Sequence, residues 1–312
     1  MRVLVTGGAG FIGSHLCDAF ITAGDQVWTL DDLSHGRVAR IPEGVPFYRE
    51  SVLDAARLGS LITEIRPDLI CHLAAQIDVR SSVAFPAVDA EINAVGTVNV
   101  LAAAQEAGAR VIFASSGGAI YGSDAPIPTA EDIPPAPESP YGVAKCCAEQ
   151  YVGLYNRLYG TEHSILRFAN VYGPRQSPAG EAGVVSVFGT QASRGKPLTI
   201  YGDGKQTRDF VYVADCVAAV VAAADHERAG VWNVGTGVEV SVLELAALVD
   251  QAAGGASTID YAAARPGEVM RSVLSSERAA LDLGWRPVTS LADGVRSVVN
   301  WLAAGAPDRA PA

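Results

Sequence analysis

The chain predicts an α/β fold, a doubly wound parallel sheet with helices on both faces, followed by a smaller C-terminal domain. Three observations carry that expectation. Short, continuously apolar runs alternate with helix-period segments through the first half, a glycine-rich loop joins the first run to the first helix, and the alternation loosens after about residue 170.

Taken in order, "RVLVT" (2–6) reads as a strand, and a helix from Phe11 stops near Gly24. "QVWTL", "DLICHL", "RVIFAS" and "HSILRF" are further strands, each apolar throughout, as a sheet covered on both faces requires. Helices near Asp89 to Glu106 and from Tyr141 separate the later ones. Beyond residue 170, loops such as "GPRQSPAGEAG" and "YGDGKQTRD" intervene before "VWNVG" and a helix from Ser241 resume regular structure. The expected large domain is therefore 1–169 with returning segments near 207–237; the smaller one is 170–206 and 238–305, and 306–312 form a loose tail. The Pro-rich "DAPIPTAEDIPPAPESP" (124–140) is too long for an ordinary connection and reads as functional or flexible.

Composition excludes several classes. With 312 residues, 49% of them hydrophobic, the chain can bury a large core. Its richest apolar run, "VAAVVAAA", lies between Asp215 and Asp225 and falls far short of the ~20 residues that cross a bilayer. The start at "RVLVT", with no leader, points to the cytoplasm. Acidic residues outnumber basic ones 34 to 23, for a net charge of −11, which disfavours nucleic acid as a partner. The five cysteines (17, 71, 146, 147, 216) have no metal-ligand or redox spacing and read as reduced core thiols, so no metal is expected.

Chemistry gathers at two places. In "GGAGFIG", Gly7, Gly10 and Gly13 recur every third residue between a strand and a helix, where bare backbone N–H groups and the helix end suit a pyrophosphate. Asp31 stands eighteen residues past Gly13, placed to bind a ribose 2′-hydroxyl and repel a 2′-phosphate, which selects NAD over NADP. Its neighbour Asp32 reads equally as a solvated loop acid. In "SPYGVAK", Ser139 is an N-cap and Pro140 a first helical residue, so Tyr141 sits in the opening turn with Lys145 on the same face. An ammonium and a helix N-terminus both favour the phenolate, which could take a proton from a sugar hydroxyl near neutral pH.

Together "GGAGFIG", "HLAAQ" (72–76), "FASSGGAIYG" (113–122), "SPYGVAK", "RFANVYGPR" (167–175) and "RDFVYVAD" (208–215), in this order, resemble the extended short-chain dehydrogenase/reductase family. Among its nucleotide-sugar enzymes the chain is most similar to the UDP-glucose 4-epimerase group, from Met1 to about Trp301. The resemblance implies a Rossmann domain carrying NAD and a smaller UDP-sugar domain. It makes Tyr141 the base, Lys145 the holder of the nicotinamide ribose, and a strand-end serine the partner of the reacting 4-hydroxyl. An extra residue before Tyr121 leaves that serine open between Ser116, reached by counting 25 back from Tyr141, and Ser115, otherwise on the nicotinamide side. Tyr121 itself reads as a loop residue near the sugar.

The same resemblance assigns the cofactor's surroundings. The pyrophosphate end falls to Gly7, Gly10, Phe11, Ile12 and Gly13, and the adenosine end to Asp31, Asp32, Ser34, Gly36, Ser51 and Val52. Leu73, Ala74, Ala75, Gln76, Asn93 and Phe168 border the remainder. For the substrate it implies Asn170, Val184 and Val185, Tyr201 beside the uracil, and Arg208 and Arg265 at the diphosphate, where guanidinium groups bind bidentately. Tyr201 could equally serve packing, and the arginines surface ion pairs.

The implied reaction is oxidation at sugar C4 followed by hydride return to the other face, interconverting UDP-glucose and UDP-galactose. Sister dehydratases and decarboxylases carry an acid just after the strand-end residue, where this chain has Gly117, Gly118, Ala119 and Ile120. Ser272, a small residue at a gate beside the sugar 2-substituent, suggests that N-acetyl forms also fit. Two departures keep alternatives open. Ser51 stands where the family has an Asp for the adenine, and Ile77 replaces a Lys while Arg80 follows, leaving a UDP-glucuronate epimerase or decarboxylase, or another nucleotide-sugar dehydratase or reductase, as the alternative. The family's habit implies a homodimer through the helices near 89–106 and 141–159.

Overall fold

A computed structural model describes residues 1–178, 183–264 and 269–309. The first half runs β1 (Arg2–Thr6), α1 (Phe11–Thr22), β2 (Gln26–Leu30), β3 (Phe47–Tyr48), α2 (Ala55–Ile65), β4 (Leu69–His72), α3 (Val79–Ala84) and α4 (Pro86–Ala90). A π-helical turn, Glu91–Val95, then leads into α5 (Gly96–Ala107), β5 (Arg110–Ser116), α6 (Gly117–Ile120), α7 (Pro140–Tyr159) and β6 (Ser164–Phe168). The second half comprises β7 (Asn170–Tyr172), α8 (Val184–Ser193), β8 (Leu198–Tyr201), β9 (Thr207–Arg208), β10 (Phe210–Tyr212), α9 (Val213–Asp225) and β11 (Val231–Val234). It ends with β12 (Val240–Ser241), α10 (Val242–Ala253), β13 (Ile259–Ala262), β14 (Arg271–Ser272), α11 (Glu277–Asp282) and α12 (Leu291–Ala303).

Seven strands form one parallel sheet in the order β11-β6-β5-β4-β1-β2-β3. The chain winds outward through β2 and β3, then crosses back to lay β4 on the other side of β1, pairing Val3 with both Val27 and Leu69. That reversal opens a crevice at the carboxyl ends of β1 and β4, the usual ligand position in such sheets. Both faces are covered, which is why strands such as β4 are buried at every residue. On one face Leu16 and Phe20 of α1 meet Val217 and Val220 of α9; on the other, Leu58 and Leu61 of α2 meet Val100 of α5 and Val152 of α7.

A third core lies off the sheet, built from Val185 and Phe188 of α8, Leu198 and Ile200 of β8, Leu245 of α10 and Val295 of α12. Its helices begin on designed stops: Ser241 and Glu244 form a reciprocal capping box, and Ser290 accepts from Asp293 N. Small sheets (β7 with β10, β8 with β13, β12-β9-β14) join this lobe to the crevice. No helix among the described residues is long and apolar enough to cross a membrane.

The Pro-rich 124–140 stretch, read as functional or flexible, is pinned at Thr129, which is buried, its N–H donating to Val273 O at 2.8 Å and its carbonyl accepting from Ser275 N at 2.8 Å. The chain end is also tied as far as it is described. Asp308 accepts from Arg40 Nε at 3.1 Å, Arg309 pairs with Asp18, and Trp301 Nε1 donates to Pro307 O at 2.8 Å.

Candidate active site

The glycine loop is tight because its backbone turns against other backbone. Gly7 has φ +72°, and a Cβ there would come within 2.8 Å of Ala74 N, while one at Gly13 would strike the carbonyl of Gly7. Gly10 N-caps α1 with no side-chain cap, which leaves the first N–H groups of Phe11, Ile12 and their neighbours to a ligand. Asp31, at the end of β2, is buried and accepts from Ala9 N at 3.1 Å and Leu33 N at 2.8 Å, which fix its carboxylate at the loop. Burial pushes that carboxyl up from its ordinary value, and the two N–H donors oppose the shift. Gly36 leaves it room: a Cβ there would lie 2.6 Å from Asp31 Oδ1. Asp32 instead accepts from Ser34 N in a local turn. These donors, bare glycines and a buried acid fit a dinucleotide.

Further along the crevice, Ser51 Oγ is used by Leu53 N at 3.2 Å, and Val52 packs over Gly96, where a Cβ would meet its methyl at 2.7 Å. The loop after β4 begins at Leu73 and Ala74, held by Thr6, and continues through Ala75 to Gln76. Gln76 N donates to Asn93 Oδ1 at 3.0 Å, and Asn93 Nδ2 returns a bond to Gln76 O at 2.9 Å. Asp89 completes this cluster, its Oδ1 accepting from Gln76 Nε2 at 2.7 Å and Asn93 Nδ2 at 3.0 Å. The π turn at Glu91–Val95 sits within it, a distortion often found at functional places.

The strand-end serines separate cleanly. Successive strand residues point to opposite faces, so only one can meet α7's first turn. Ser116 is hydrogen-bonded to Tyr141. Ser115, buried, donates to Glu149 Oε1. Tyr141 reaches Ser116 because α7 starts as its sequence predicts, with Gly142 N donating to Ser139 Oγ at 3.1 Å and Pro140 at the first position. Lys145, one turn on, is 3% exposed; its Nζ donates to Ala114 O at 3.0 Å and lies 4.8 Å from the Phe113 ring centre and 5.9 Å from that of Tyr141.

Burial opposes the helix end and the ammonium, pushing the Tyr141 phenol up to about 12, with Ser116 pulling it down and Asp89 pushing it further up. Burial likewise draws Lys145 down to about 8, opposed by Asp89 and then Glu149. Desolvation therefore outweighs the helix end and the ammonium.

Tyr121, in the bend just past α6, is buried; it accepts from Arg167 Nη1 at 2.7 Å and donates to Asn233 Oδ1 at 2.9 Å. Arg167 in turn grips Glu149 at 2.6 Å, and Asn233 Nδ2 donates to Thr129 O at 2.9 Å. This buried chain runs from the residue beside Ser116 to the Pro-rich segment. A charged residue inside the apolar run "HSILRF" and an acid one turn past Lys145 were its only signals in the sequence.

On the substrate side, Phe168 pairs with Ser116 in register and is buried. Asn170 Oδ1 and Ser272 Oγ lie 3.7 and 4.0 Å from where a Cβ on Gly118 would stand, and Ser272 pairs with Arg208. Arg208 is half-buried, its Nη1 donating to Thr207 O at 2.7 Å. Tyr201 is partly exposed at the end of β8. Val184 is half-buried, but the Val185 side chain belongs to the third core, so only its backbone is left for a ligand. Arg265 lies outside the described residues.

A parallel sheet with a glycine turn, a buried acid after its second strand, and a Ser-Tyr-Lys group at the same crevice defines a dinucleotide-dependent enzyme of nucleotide-sugar type. The chain belongs to the NAD dependent epimerase/dehydratase family, whose profile matches residues 3–235. It is 44% identical over 309 residues to the UDP-glucose 4-epimerase of Mycolicibacterium smegmatis, covering 97% of this chain and 98% of that one. Two solved structures are also similar. One is UDP-glucose 4-epimerase with UDP-glucose from Thermotoga maritima (TM-score 0.96, 41% identity, 98% of this chain and 99% of that one). The other is the Thermus thermophilus UDP-glucose 4-epimerase complex with NAD (TM-score 0.91, 42% identity, 96% and 98%).

Proposed function

We propose that this chain is a NAD-dependent UDP-hexose 4-epimerase that interconverts UDP-glucose and UDP-galactose. The observation that carries the reading is the convergence of Ser116, Tyr141 and Lys145 beside a segment that offers no second acid. Tyr141 removes the O4 proton, Ser116 holds that hydroxyl against it, and the Lys145 ammonium stabilises the phenolate that begins the step. Bound NAD would supply the hydride acceptor, and then donor, for sugar C4. Gly7, Gly10 and Gly13 would hold its pyrophosphate and Asp31 its adenosine ribose.

Structure adds a reason against dehydration or decarboxylation. A Cβ on Gly117 would lie 2.5 Å from Leu274 Cδ1, so a side chain there would have to displace the end of Leu274. Gly118 lies beside Asn170 and Ser272, which would stand 3.7 and 4.0 Å from a Cβ on it. Asn170, Arg208 and Arg265 are the proposed diphosphate contacts and Tyr201 the uracil contact, with the smaller lobe as the nucleotide's seat. The small Ser272 favours N-acetyl forms as additional substrates. An NMR time course with UDP-glucose, UDP-GlcNAc and UDP-glucuronate tests all of this: 4-epimers of the first two support it, and turnover of UDP-glucuronate alone overturns it.

The assembly we propose is a homodimer. Val143, Tyr151 and Leu158 form an exposed stripe along α7, next to exposed Val83, Phe85 and Val88 of α3 and α4. Such a patch is costly to leave in water. Light scattering giving a monomer mass would reject it. The cytoplasm is the proposed location, in keeping with five unpaired cysteines.

A further inference from the structure

We propose that Asp308 and Arg309, just past α12, are positioning residues for the cofactor: they strap the segment that follows Asp31 onto the glycine loop and so slow the release of NAD. The inference rests on the reading of that crevice as the NAD site.

Asp31 accepts from Ala9 N at 3.1 Å, and Ala9 O accepts from Arg37 N at 2.9 Å. A Cβ on Gly36 would lie 2.6 Å from Asp31 Oδ1 and 2.9 Å from Ala9 Cβ. The glycine loop, the acid and residues 36 and 37 are therefore one closed unit, and whatever holds Arg37 holds the surroundings of the acid. Val38–Arg40 continue as a short helical turn, with Arg40 N donating to Arg37 O at 3.0 Å and no side-chain cap. A turn this short has too few bonds of its own to stay formed.

The tail supplies what the turn lacks. Gly305 and Ala306, at φ +84° and +51°, reverse the chain after α12, a conformation that a residue with a Cβ keeps only where its surroundings hold it. Ala306 N donates to Trp301 O at 2.9 Å and Trp301 Nε1 to Pro307 O at 2.8 Å, which aims the next two residues at the large domain. There Asp308 Oδ1 accepts from Arg40 Nε at 3.1 Å and lies 3.5 Å from Arg37 Nη1. Arg309 Nη1 donates to Arg40 O at 3.1 Å, and its Nη2 meets Asp18 of α1 at 2.5 Å. Both the side chain and the carbonyl of Arg40 thus end on the tail, and the tail is anchored to the helix that follows the glycine loop.

Arg40 is 4% exposed, and a guanidinium so buried needs a carboxylate or must reach water. Among the described residues, Asp308 is the carboxylate that meets it. Without Asp308 the guanidinium regains water by loosening the Val38–Arg40 turn, and the bond from Arg37 N to Ala9 O loosens with it. A freer loop loses more entropy each time it closes on a ligand, so it holds that ligand less tightly.

The test is Asp308→Ala in the full chain, loaded with NAD and mixed with an alcohol dehydrogenase and ethanol, so that each NAD released appears as NADH. Release should be about tenfold faster than from wild type, as expected for loss of a charged hydrogen bond. Asp308→Glu, which keeps the charge, should restore slow release. Raising salt from about 0.1 M to about 1 M, which shortens the screening length from about 10 Å to about 3 Å, should speed release from wild type more than from Asp308→Ala. A lower melting temperature with release unchanged would make the pair purely structural and overturn the proposal. Should Asp308→Ala not fold, Arg309→Ala removes the bonds to Arg40 O and Asp18, strands no buried guanidinium, and reads the same change in release. Wild-type protein that takes up no NAD would instead overturn the cofactor reading, and the strap with it.

Discussion

Ser116 and Ser115 are adjacent yet do different work, because a strand turns neighbouring side chains to opposite faces. Ser116→Ala should cut turnover while sparing stability, since Tyr141 keeps its place on α7. Ser115→Ala should do the reverse, leaving a buried Glu149 oxygen short of a donor at a cost of about 1–3 kcal/mol. Urea denaturation beside steady-state kinetics separates the two. Tyr141→Phe removes the base alone, and kcat should fall about 10²–10⁴-fold with NAD still bound. In the wild-type enzyme, with the Tyr141 phenol at about 12 and Lys145 at about 8, the rate should rise with pH up to about 8 and level off above it, where Lys145 gives up its proton. A rate that keeps rising beyond pH 9 would show that the ammonium is not required.

At the scale of elements, α7 is used on three sides. One presents Tyr141 and Lys145 to the crevice, a second sends Glu149 to Arg167, and a third carries the exposed apolar stripe. Breaking the buried pair with Glu149→Ala should cost about 3–5 kcal/mol, because Arg167 would be left charged and unpaired. The short β9 and β14 set the sugar side, where Ser272 stands opposite Gly118. Replacing it with a large side chain, Ser272→Tyr, should abolish turnover of UDP-GlcNAc and leave UDP-glucose turnover within a few-fold. Equal loss of both would remove Ser272 from any selective role.

Across the whole molecule, what the sequence revealed was what depends on near neighbours. The glycine loop, the acid eighteen residues later and the cap that aims Tyr141 are each written within a few turns of chain, and each holds in the structure. The Tyr121–Arg167–Glu149 chain was not legible, since it draws on the ends of β5, α6, α7, β6 and β11 and needs the folded sheet to assemble. The anchoring of Thr129 and of residues 308 and 309 is likewise not legible in the sequence, since their partners Val273, Arg40 and Asp18 lie far off in it.

The central claim is that a hydride leaves and returns to one carbon with no second acid to divert the ketone. An NMR time course of UDP-glucose with the purified enzyme in D2O tests it most directly. The account predicts UDP-galactose growing to a fixed ratio, no deuterium at C4 and no stoichiometric NADH. A 6-deoxy-4-keto sugar, C4 deuteration or NADH formed in step with substrate loss would contradict it.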